Sequence, residues 1–230
     1  MFHGKMKALT FSYDDGVTQD SRLIWLFDRY GMKATFNLNS GLMGQDGHLI
    51  RENRTVSHVK FPPEEIAEIY RGHEIAVHTL THPNLTGCDE AEIVRQVEED
   101  RAALSVLAGY EVRGMAYPGG GVNFDSRVAD TVRSRTGVRY ARTTVCTGSF
   151  DLPTDLIRLD PTAFHKDFDR LFALGEEFLA LEPDTPKLFY IWGHSYEFDI
   201  DNTWDRFAEF LRMMAGKDDI FYGTNAEVLL

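Results

Sequence analysis

The sequence predicts an α/β fold in which parallel strands close into a barrel or near-barrel. The chain has 230 residues with 43% hydrophobic content, enough to bury one large core. Apolar runs typical of strands alternate along it with amphipathic segments typical of helices. Seven or eight such units in succession require parallel strands joined by right-handed crossovers. No linker or repeat divides them, so we expect a single domain over residues 1–230.

In the first half of the chain, local signals mark where the elements begin and end. Asp20 is interpreted as the N-cap of the first helix, and Gly31 closes it. Pro63, followed by two glutamates, suits the first turn of the next helix. Segment 40–61 is polar and unusually long for a loop, which indicates a lid or substrate loop. The predicted strands are 7–13, 34–38 and 74–77, and the predicted helices are 20–30, 63–70 and 89–108.

The second half repeats this alternation. A strand is expected to end in the glycine-rich segment 118–121, and another runs directly into Gly193 and His194. The predicted strands are 112–117, 138–143, 156–159, 188–192 and 220–222, and the predicted helices are 126–135, 168–181 and 203–214.

Charge and composition exclude several classes of partner. The net charge is −12, which argues against binding to nucleic acid or to an anionic membrane. No apolar run approaches 18 residues and the first seven residues are not a signal sequence, so the expected location is cytoplasmic. Cys88 and Cys146 fit no zinc or redox spacing and are expected to be free thiols.

Two polar motifs follow predicted strands. Asp14 and Asp15 end the first strand, and His78 and His82 follow the strand 74–77. An Asp-Asp-Gly sequence alone is usually a turn, but one carboxylate with two imidazoles is a common zinc ligand set. The second carboxylate is then free to act as a base. Adjacent strand residues point to opposite faces, so both acids can serve one site only if the strand breaks there, which Gly16 permits.

These motifs resemble those of the polysaccharide deacetylase family, carbohydrate esterase family 4, also called the NodB-homology type. Ser12-Tyr13-Asp14-Asp15-Gly16 is similar to the family's first motif, which usually reads Thr-Phe-Asp-Asp-Gly. His78-Thr79-Leu80-Thr81-His82 matches its metal motif. Further resemblances, which extend the similarity to residues 8–224, are Ala116-Tyr117-Pro118-Gly119-Gly120 to the middle motif, Ile191-Trp192-Gly193-His194 to the late motif, and Phe221-Tyr222-Gly223-Thr224 to the closing strand.

The resemblance implies a distorted (β/α)7 barrel that removes N- or O-acetyl groups with a divalent metal ion. Zinc is favoured, with cobalt or nickel as alternatives. By position in the motifs, the metal ligands would be Asp15, His78 and His82. Metal-bound water would be the nucleophile, with Asp14 as its general base and His194 as the general acid. The backbone N–H of Gly119 would stabilise the oxyanion.

The sequence departs from the family at one important position. The family's middle motif has an arginine two residues before its proline, where this chain has Ala116, and the family's Asp-x-x-Asp-Trp motif is not recognisable. Arg142 ends the next predicted strand. We therefore predict that Arg142 takes the place of the missing arginine beside Asp14 and is catalytic; the alternative is a surface ion pair.

The expected substrate is an acetylated carbohydrate or a related small amide. Glu197 either orients His194 or binds substrate, and His165 has either a site role or a structural one. His58 is given no role. The candidate substrate-binding residues are Tyr117, Pro118, Gly119, Trp192, Glu197 and His165, with Tyr196 as a further aromatic. Two alternatives stay open: a hydrolase of a non-sugar C–N bond, such as a cyclic imide or ureide, and a non-catalytic carbohydrate-binding relative.

Overall fold

Eight of the ten strands form one parallel sheet in the computed structural model, which describes residues 2–51 and 53–230. The strands are β1 (Lys7–Asp14), β2 (Thr35–Leu38), β3 (His48–Arg51), β4 (Arg54–Ser57), β5 (Glu74–Val77), β6 (Gly114–Ala116), β7 (Tyr140–Arg142), β8 (Ala163–Phe164), β9 (Lys187–Gly193) and β10 (Ile220–Tyr222). The sheet has the order β7-β6-β5-β2-β1-β9-β8, and β10 also pairs with β1. Strands β3 and β4 form a separate antiparallel hairpin.

The two ends of this sheet approach each other, as the predicted distorted barrel requires. Leu159 donates its N–H to Ala141 of β7 at 3.0 Å and accepts from Thr143 at 2.8 Å. Three residues later, Thr162 donates to Tyr190 of β9 at 2.8 Å. The chain between β7 and β8 therefore links both edges of the curled sheet, and the predicted fold class is confirmed.

The described residues form eight α-helices, of which seven lie between strands and the eighth follows β10. They are α1 (Asp20–Arg29), α2 (Ile66–Ile69), α3 (Glu90–Ala108), α4 (Ser126–Arg135), α5 (Phe168–Ala180), α6 (Tyr196–Asp201), α7 (Trp204–Met214) and α8 (Asn225–Leu229). Within the described ranges, none of these helices is long and apolar enough to cross a membrane. Both cysteines are free thiols, as predicted.

Strand β1 is the centre of the fold and carries the acidic motif. It pairs with β2, β9 and β10, and all eight of its residues are buried. The apolar residues Ala8, Leu9, Phe11 and Tyr13 mark this strand in the sequence, and the polar Thr10 and Ser12 between them are buried as well. Its carboxyl end places Asp14 in register with Asn37 of β2, next to the end of β9 at Gly193.

Three local predictions are wrong. Segment 156–159 is a 3-10 turn over Leu156–Arg158, not a strand, and only Leu159 bridges to β7. Segment 40–61 is not an irregular loop, because it contains the β3–β4 hairpin. Asp20 does not cap α1; its buried carboxylate accepts hydrogen bonds from the hydroxyls of Tyr70 at 2.8 Å and Ser195 at 2.5 Å.

Candidate metal centre and active site

The predicted metal and catalytic residues lie around one pocket at the carboxyl ends of the strands. This is where α/β barrels gather their functional side chains. The pocket has a volume of about 600 Å³. Its lining comes from the ends of β1, β5 and β9, from the β3–β4 hairpin and from the glycine-rich loop: Asp14, Asp15, Leu42, Leu49, Arg51, His58, Lys60, His78, His82, Gly119, Gly120, Gly121, Thr144, Trp192, His194, Tyr196 and Glu197.

Asp14 and Asp15 both face this pocket because the strand breaks between them. Asp15 has a φ of 83°, in the left-handed region that non-glycine residues rarely adopt. Its N–H donates to the carbonyl oxygen of Asn37 at 3.0 Å, and Gly16 continues the turn with a φ of 66°. The expected break is therefore present, but it begins at Asp15 itself.

Asp15, His78 and His82 form the candidate metal site. Their ligand atoms lie within 4.8 Å of one another. Oδ1 of Asp15 is 4.0 Å from Nε2 of His78 and 3.7 Å from Nε2 of His82. Ligand atoms that each lie about 2.0–2.2 Å from one ion can be at most about 4.4 Å apart. The two distances from Asp15 meet this limit, and the remaining pair, His78 and His82, lies within 4.8 Å and so exceeds it by no more than about 0.4 Å. With a donor set of one carboxylate and two imidazoles, the site fits a divalent metal ion.

The protonation of His78 also suits a ligand. Its Nδ1 lies 2.9 Å from the carbonyl oxygen of Ala116, which can only accept, so Nδ1 carries the proton and Nε2 presents its lone pair to the site. Burial and the neighbouring His82 lower the pKa of His78 to about 4, although Asp14 and Asp15 act in the opposite direction. The imidazole is thus neutral at pH 7. The carboxylate of Asp100 accepts a hydrogen bond from the main-chain N–H of His78 at 3.2 Å and so fixes the backbone at the end of β5.

Two residues near Asp15 were not predicted as site residues. Nε2 of His58 lies 3.3 Å from Oδ2 of Asp15. The buried ammonium of Lys60 donates to the main-chain oxygen of Asp15 and lies 3.8 Å from its Oδ1. Burial raises the pKa of Asp15, but the hydrogen bond from His58 and the charge of Lys60 outweigh it, and the pKa falls well below its usual range. The unusual length of segment 40–61 was the only signal in the sequence for either residue.

Arg142 lies beside Asp14, as the compensation hypothesis requires. Its fully buried guanidinium donates to Oδ2 of Asp14 and, at 3.2 Å, to Ser12 Oγ. It also stacks on the ring of Trp192, 4.5 Å from the centroid. Arg142 is paired in register with Ala116 of the neighbouring strand β6. The guanidinium therefore reaches Asp14 from the strand next to the position where the family has its arginine. The alternative, a surface ion pair, is wrong.

Charges around Asp14 keep it ionised. Burial pushes its pKa upward, but Arg142, His78 and His194 together lower the pKa below its usual value. The amide of Asn37 adds a hydrogen bond to Oδ1 at 2.8 Å. Asp14 is therefore an anion at neutral pH, which a general base must be.

His194 faces Asp14 across the pocket. Its Nε2 lies 3.9 Å from Oδ2 of Asp14, and its Nδ1 lies 3.1 Å from Oε2 of Glu197. Burial disfavours the imidazolium, but the hydrogen bond and charge of Glu197 exceed this effect and, with the two aspartates, raise the pKa of His194 to about 9. His194 therefore carries a proton at neutral pH, directed into the pocket from Nε2.

Three candidate substrate-binding residues lie away from the pocket lining. Tyr117 is fully buried; its ring stacks on Phe124 and its hydroxyl donates to the carbonyl oxygen of Ile157 at 2.8 Å. Pro118 is buried and does not line the pocket. His165 is fully buried and has both ring nitrogens engaged. The structure thus corrects the assignment of all three residues. By contrast, Gly119, Trp192, Tyr196 and Glu197 do line the pocket.

A curled parallel barrel with carboxylates and imidazoles at its carboxyl end defines a class of barrel proteins that includes many hydrolases. Within that class the chain belongs to the polysaccharide deacetylase family, because a sequence model of that family matches residues 3–141. Since deacetylases are hydrolases, the chain belongs to a family of hydrolases. A chitooligosaccharide deacetylase from Rhizobium leguminosarum bv. trifolii is 42% identical over 48 residues. That alignment covers 20% of this chain and 22% of the relative.

Solved structures show the same fold over nearly the whole chain. The Xyl-CE4 domain of a multidomain xylanase from the hindgut metagenome of Trinervitermes trinervoides is 16% identical, with a TM-score of 0.58 over 96% of this chain and 89% of that one. A family 4 acetyl xylan esterase from Clostridium thermocellum, solved with a cobalt ion, is 15% identical, with a TM-score of 0.57 over 96% and 90%.

We expect the protein to bind one divalent ion and His82→Ala to weaken zinc binding by more than about 100-fold. Loss of a partner outside the ligand set typically costs about 10- to 100-fold, so loss of a ligand should cost more. Isothermal titration calorimetry with zinc measures this effect, and the control is His48→Ala, which removes an exposed histidine on the hairpin. Equal zinc affinity in the wild type and His82→Ala would exclude His82 as a ligand.

Proposed function

We propose that the protein is a metal-dependent deacetylase that hydrolyses N- or O-acetyl groups of a carbohydrate. The observation that carries the proposal is the placement of an ionised Asp14 and a protonated His194 3.9 Å apart, next to the candidate ligands. One group can take a proton and the other can give one, as acyl transfer to water requires. Acetate as a product and zinc as the cofactor are parts of this proposal.

In this proposal Asp15, His78 and His82 would hold the cofactor. When bound there, a divalent ion would supply an activated water and a Lewis acid for the acetyl carbonyl. The acetyl group would then lie between the three ligands and the glycine-rich loop. Among residues 2–51 and 53–230, the N–H of Gly119 has no hydrogen-bond acceptor, so it is available to the oxyanion.

The protein's own side chains would carry the protons. Asp14 takes a proton from the attacking water, and the buried Arg142 and Asn37 hold its carboxylate in place. His194 then donates the proton on Nε2 to the leaving nitrogen or oxygen, while Glu197 stabilises the imidazolium through Nδ1. Trp192 and Tyr196 line the pocket wall and would contact the sugar there, although the ring of Trp192 is already stacked on Arg142 and Phe164.

A second candidate function is hydrolysis of a small non-sugar amide, and the hairpin favours it. Leu49 and Val56 pack against Tyr196 and Ile200 of α6, which makes the hairpin a fixed wall of the pocket. A pocket of about 600 Å³ behind such a wall admits a small amide as well as one or two sugar units. A non-catalytic binding role is the weaker alternative, because every proposed catalytic position is occupied by a suitable group.

Metal analysis combined with product detection tests the proposal. The zinc-loaded protein should release acetate from a panel of N-acetylated and O-acetylated mono- and oligosaccharides, and a chelator should abolish this release. Bound metal with hydrolysis of cyclic imides or ureides, but no acetate release, would favour the second function. Sugar binding by calorimetry with no hydrolysis of any panel member, even after metal loading, would favour the binding protein.

The pH profile should show His194 as the acid. Since a general acid must be protonated, kcat should fall as pH rises through the pKa of His194, which is about 9 without a bound ion. A nearby dication disfavours the imidazolium, so the alkaline limb should lie at or below that value in the loaded enzyme. His194→Gln should lower kcat by about 10²- to 10⁴-fold and remove the alkaline limb. An unchanged limb in His194→Gln would assign the acid to another group.

A further inference from the structure

Glu197 lies between two imidazoles, only one of which faces the pocket. Its Oε2 accepts from Nδ1 of His194 at 3.1 Å and from the main-chain N–H of His194 at 3.1 Å. The same oxygen lies 2.9 Å from Nε2 of His165. Burial raises the pKa of Glu197, but the hydrogen bonds from the two histidines dominate and bring the pKa well below its usual value. Glu197 is therefore an anion that accepts from both rings.

The proton of His165 is fixed by its two partners. Because Glu197 only accepts, Nε2 of His165 carries the hydrogen, and Nδ1 accepts from the hydroxyl of Tyr13 at 3.0 Å. Burial lowers the pKa of His165 despite the opposing charge of Glu197, so the ring is neutral. Other titratable or charged groups also face the two histidines: Tyr13 and Asp14 on β1, Asp15 directly after it, Tyr196 beside His194 and Lys166 beside His165.

The packing around His165 directs its ring at Glu197. The ring lies against Phe198, with centroids 4.3 Å apart. A Cβ at Gly193 would lie 2.6 Å from Cγ of His165, so only glycine at 193 leaves space for this ring. Gly193, which directly precedes His194, thus leaves room for the ring of His165, a histidine that does not reach the pocket.

We propose that His165 is a positioning residue, which holds the Glu197 carboxylate against Nδ1 of His194 and so keeps the proton of His194 on the nitrogen that faces Asp14. The proposal rests on the assignment of His194 as the acid. Glu197 lines the pocket and has a flexible side chain, so without a donor behind it the carboxylate can turn toward solvent. His194 would then lose the partner that fixes its tautomer and favours its charged form.

His165→Leu removes the donor at nearly constant volume, and His165→Gln retains an N–H for Glu197 and an acceptor for Tyr13. The matched control is Phe207→Leu, which disturbs the same aromatic cluster without touching Glu197. In His165→Leu we expect kcat to fall by about 10- to 100-fold at constant KM, the cost typical of losing such an orienting partner. The alkaline limb should move down by about one pH unit, a tenfold change in proton affinity.

A nitrogen-15 NMR titration of the His194 ring in the zinc-loaded protein gives the same information without turnover. His165→Leu should lower the pKa of His194 and mix its two neutral tautomers, whereas His165→Gln and Phe207→Leu should resemble the wild type. Failure of the wild type to hydrolyse any acetylated sugar would reject the proposed function and leave the NMR result decisive for His165. An unchanged or raised pKa of His194 in His165→Leu, with the tautomer retained, would overturn the positioning role.

Discussion

Asp14→Asn should keep its metal and its fold but lose about 10²- to 10⁴-fold in kcat, the usual contribution of a general base. Asparagine is nearly isosteric with aspartate but cannot take a proton from water. Zinc affinity should remain close to the wild-type value, because the ligands Asp15, His78 and His82 are unchanged. Turnover has to be compared at equal zinc occupancy, measured by elemental analysis of the same samples.

The structure also predicts a stability cost for this variant. Arg142 and Asn37 both donate to Asp14, one to each oxygen, whereas an asparagine has a single oxygen for two donors. The guanidinium also loses its counterion in a buried position. The control is Asp218→Asn, which makes the same charge change at an exposed residue. Near-wild-type turnover in Asp14→Asn, with zinc bound, would remove Asp14 from the mechanism.

Elements with strong local patterns could be predicted from the sequence. β1, β5 and α4 appear within one residue of their expected bounds, because the two strands carry clusters of apolar residues and a capped helix has a clear start. β8 has only two residues, too few to form a recognisable run. The sequence of α6, Tyr-Glu-Phe-Asp-Ile-Asp, alternates apolar and acidic residues in a way more typical of a strand.

The site could be predicted where motifs carry it and not where distant contacts do. The candidate ligands converge because they follow β1 and β5, two strands of one parallel sheet that are separated only by β2 and whose carboxyl ends lie at the same edge. Asp20 looked like a helix cap, but its partners Tyr70 and Ser195 lie 50 and 175 residues away along the chain. Tyr117 looked like a sugar platform beside a glycine-rich loop. Side chains alternate between the two faces of the sheet along β6 and the residue that follows it. Ala116 is paired in register with Arg142, whereas the ring of Tyr117 stacks on Phe124.

Arg142→Ala should destabilise the protein by about 3–5 kcal/mol, because it leaves the buried charge of Asp14 without a counterion. Arg142 is fully buried and also binds Ser12 and the carbonyl oxygen of Thr143, at 3.2 and 3.0 Å. Chemical denaturation at pH 7 measures the change in the free energy of unfolding. The control is Arg133→Ala, which breaks the exposed ion pairs of Arg133 with Asp130 and Asp155 and should cost no more than about 1 kcal/mol.

The pH dependence separates a catalytic effect of Arg142 from a loss of stability. Arg142 helps to lower the pKa of Asp14, so the carboxylate is the charged base at neutral pH. Without the guanidinium, that pKa rises and the acidic limb of the kcat profile moves upward, because the base is protonated over a wider range. Removal of a positive charge near the ligands should leave zinc affinity undiminished.

Arg142→Lys should restore the acidic limb only in part, because a point charge cannot bind Asp14, Ser12 and the Thr143 carbonyl oxygen at once, as the planar guanidinium does. If the acidic limb of folded, zinc-loaded Arg142→Ala stays at the wild-type pH, a group other than Arg142 takes the place of the arginine that is missing at Ala116.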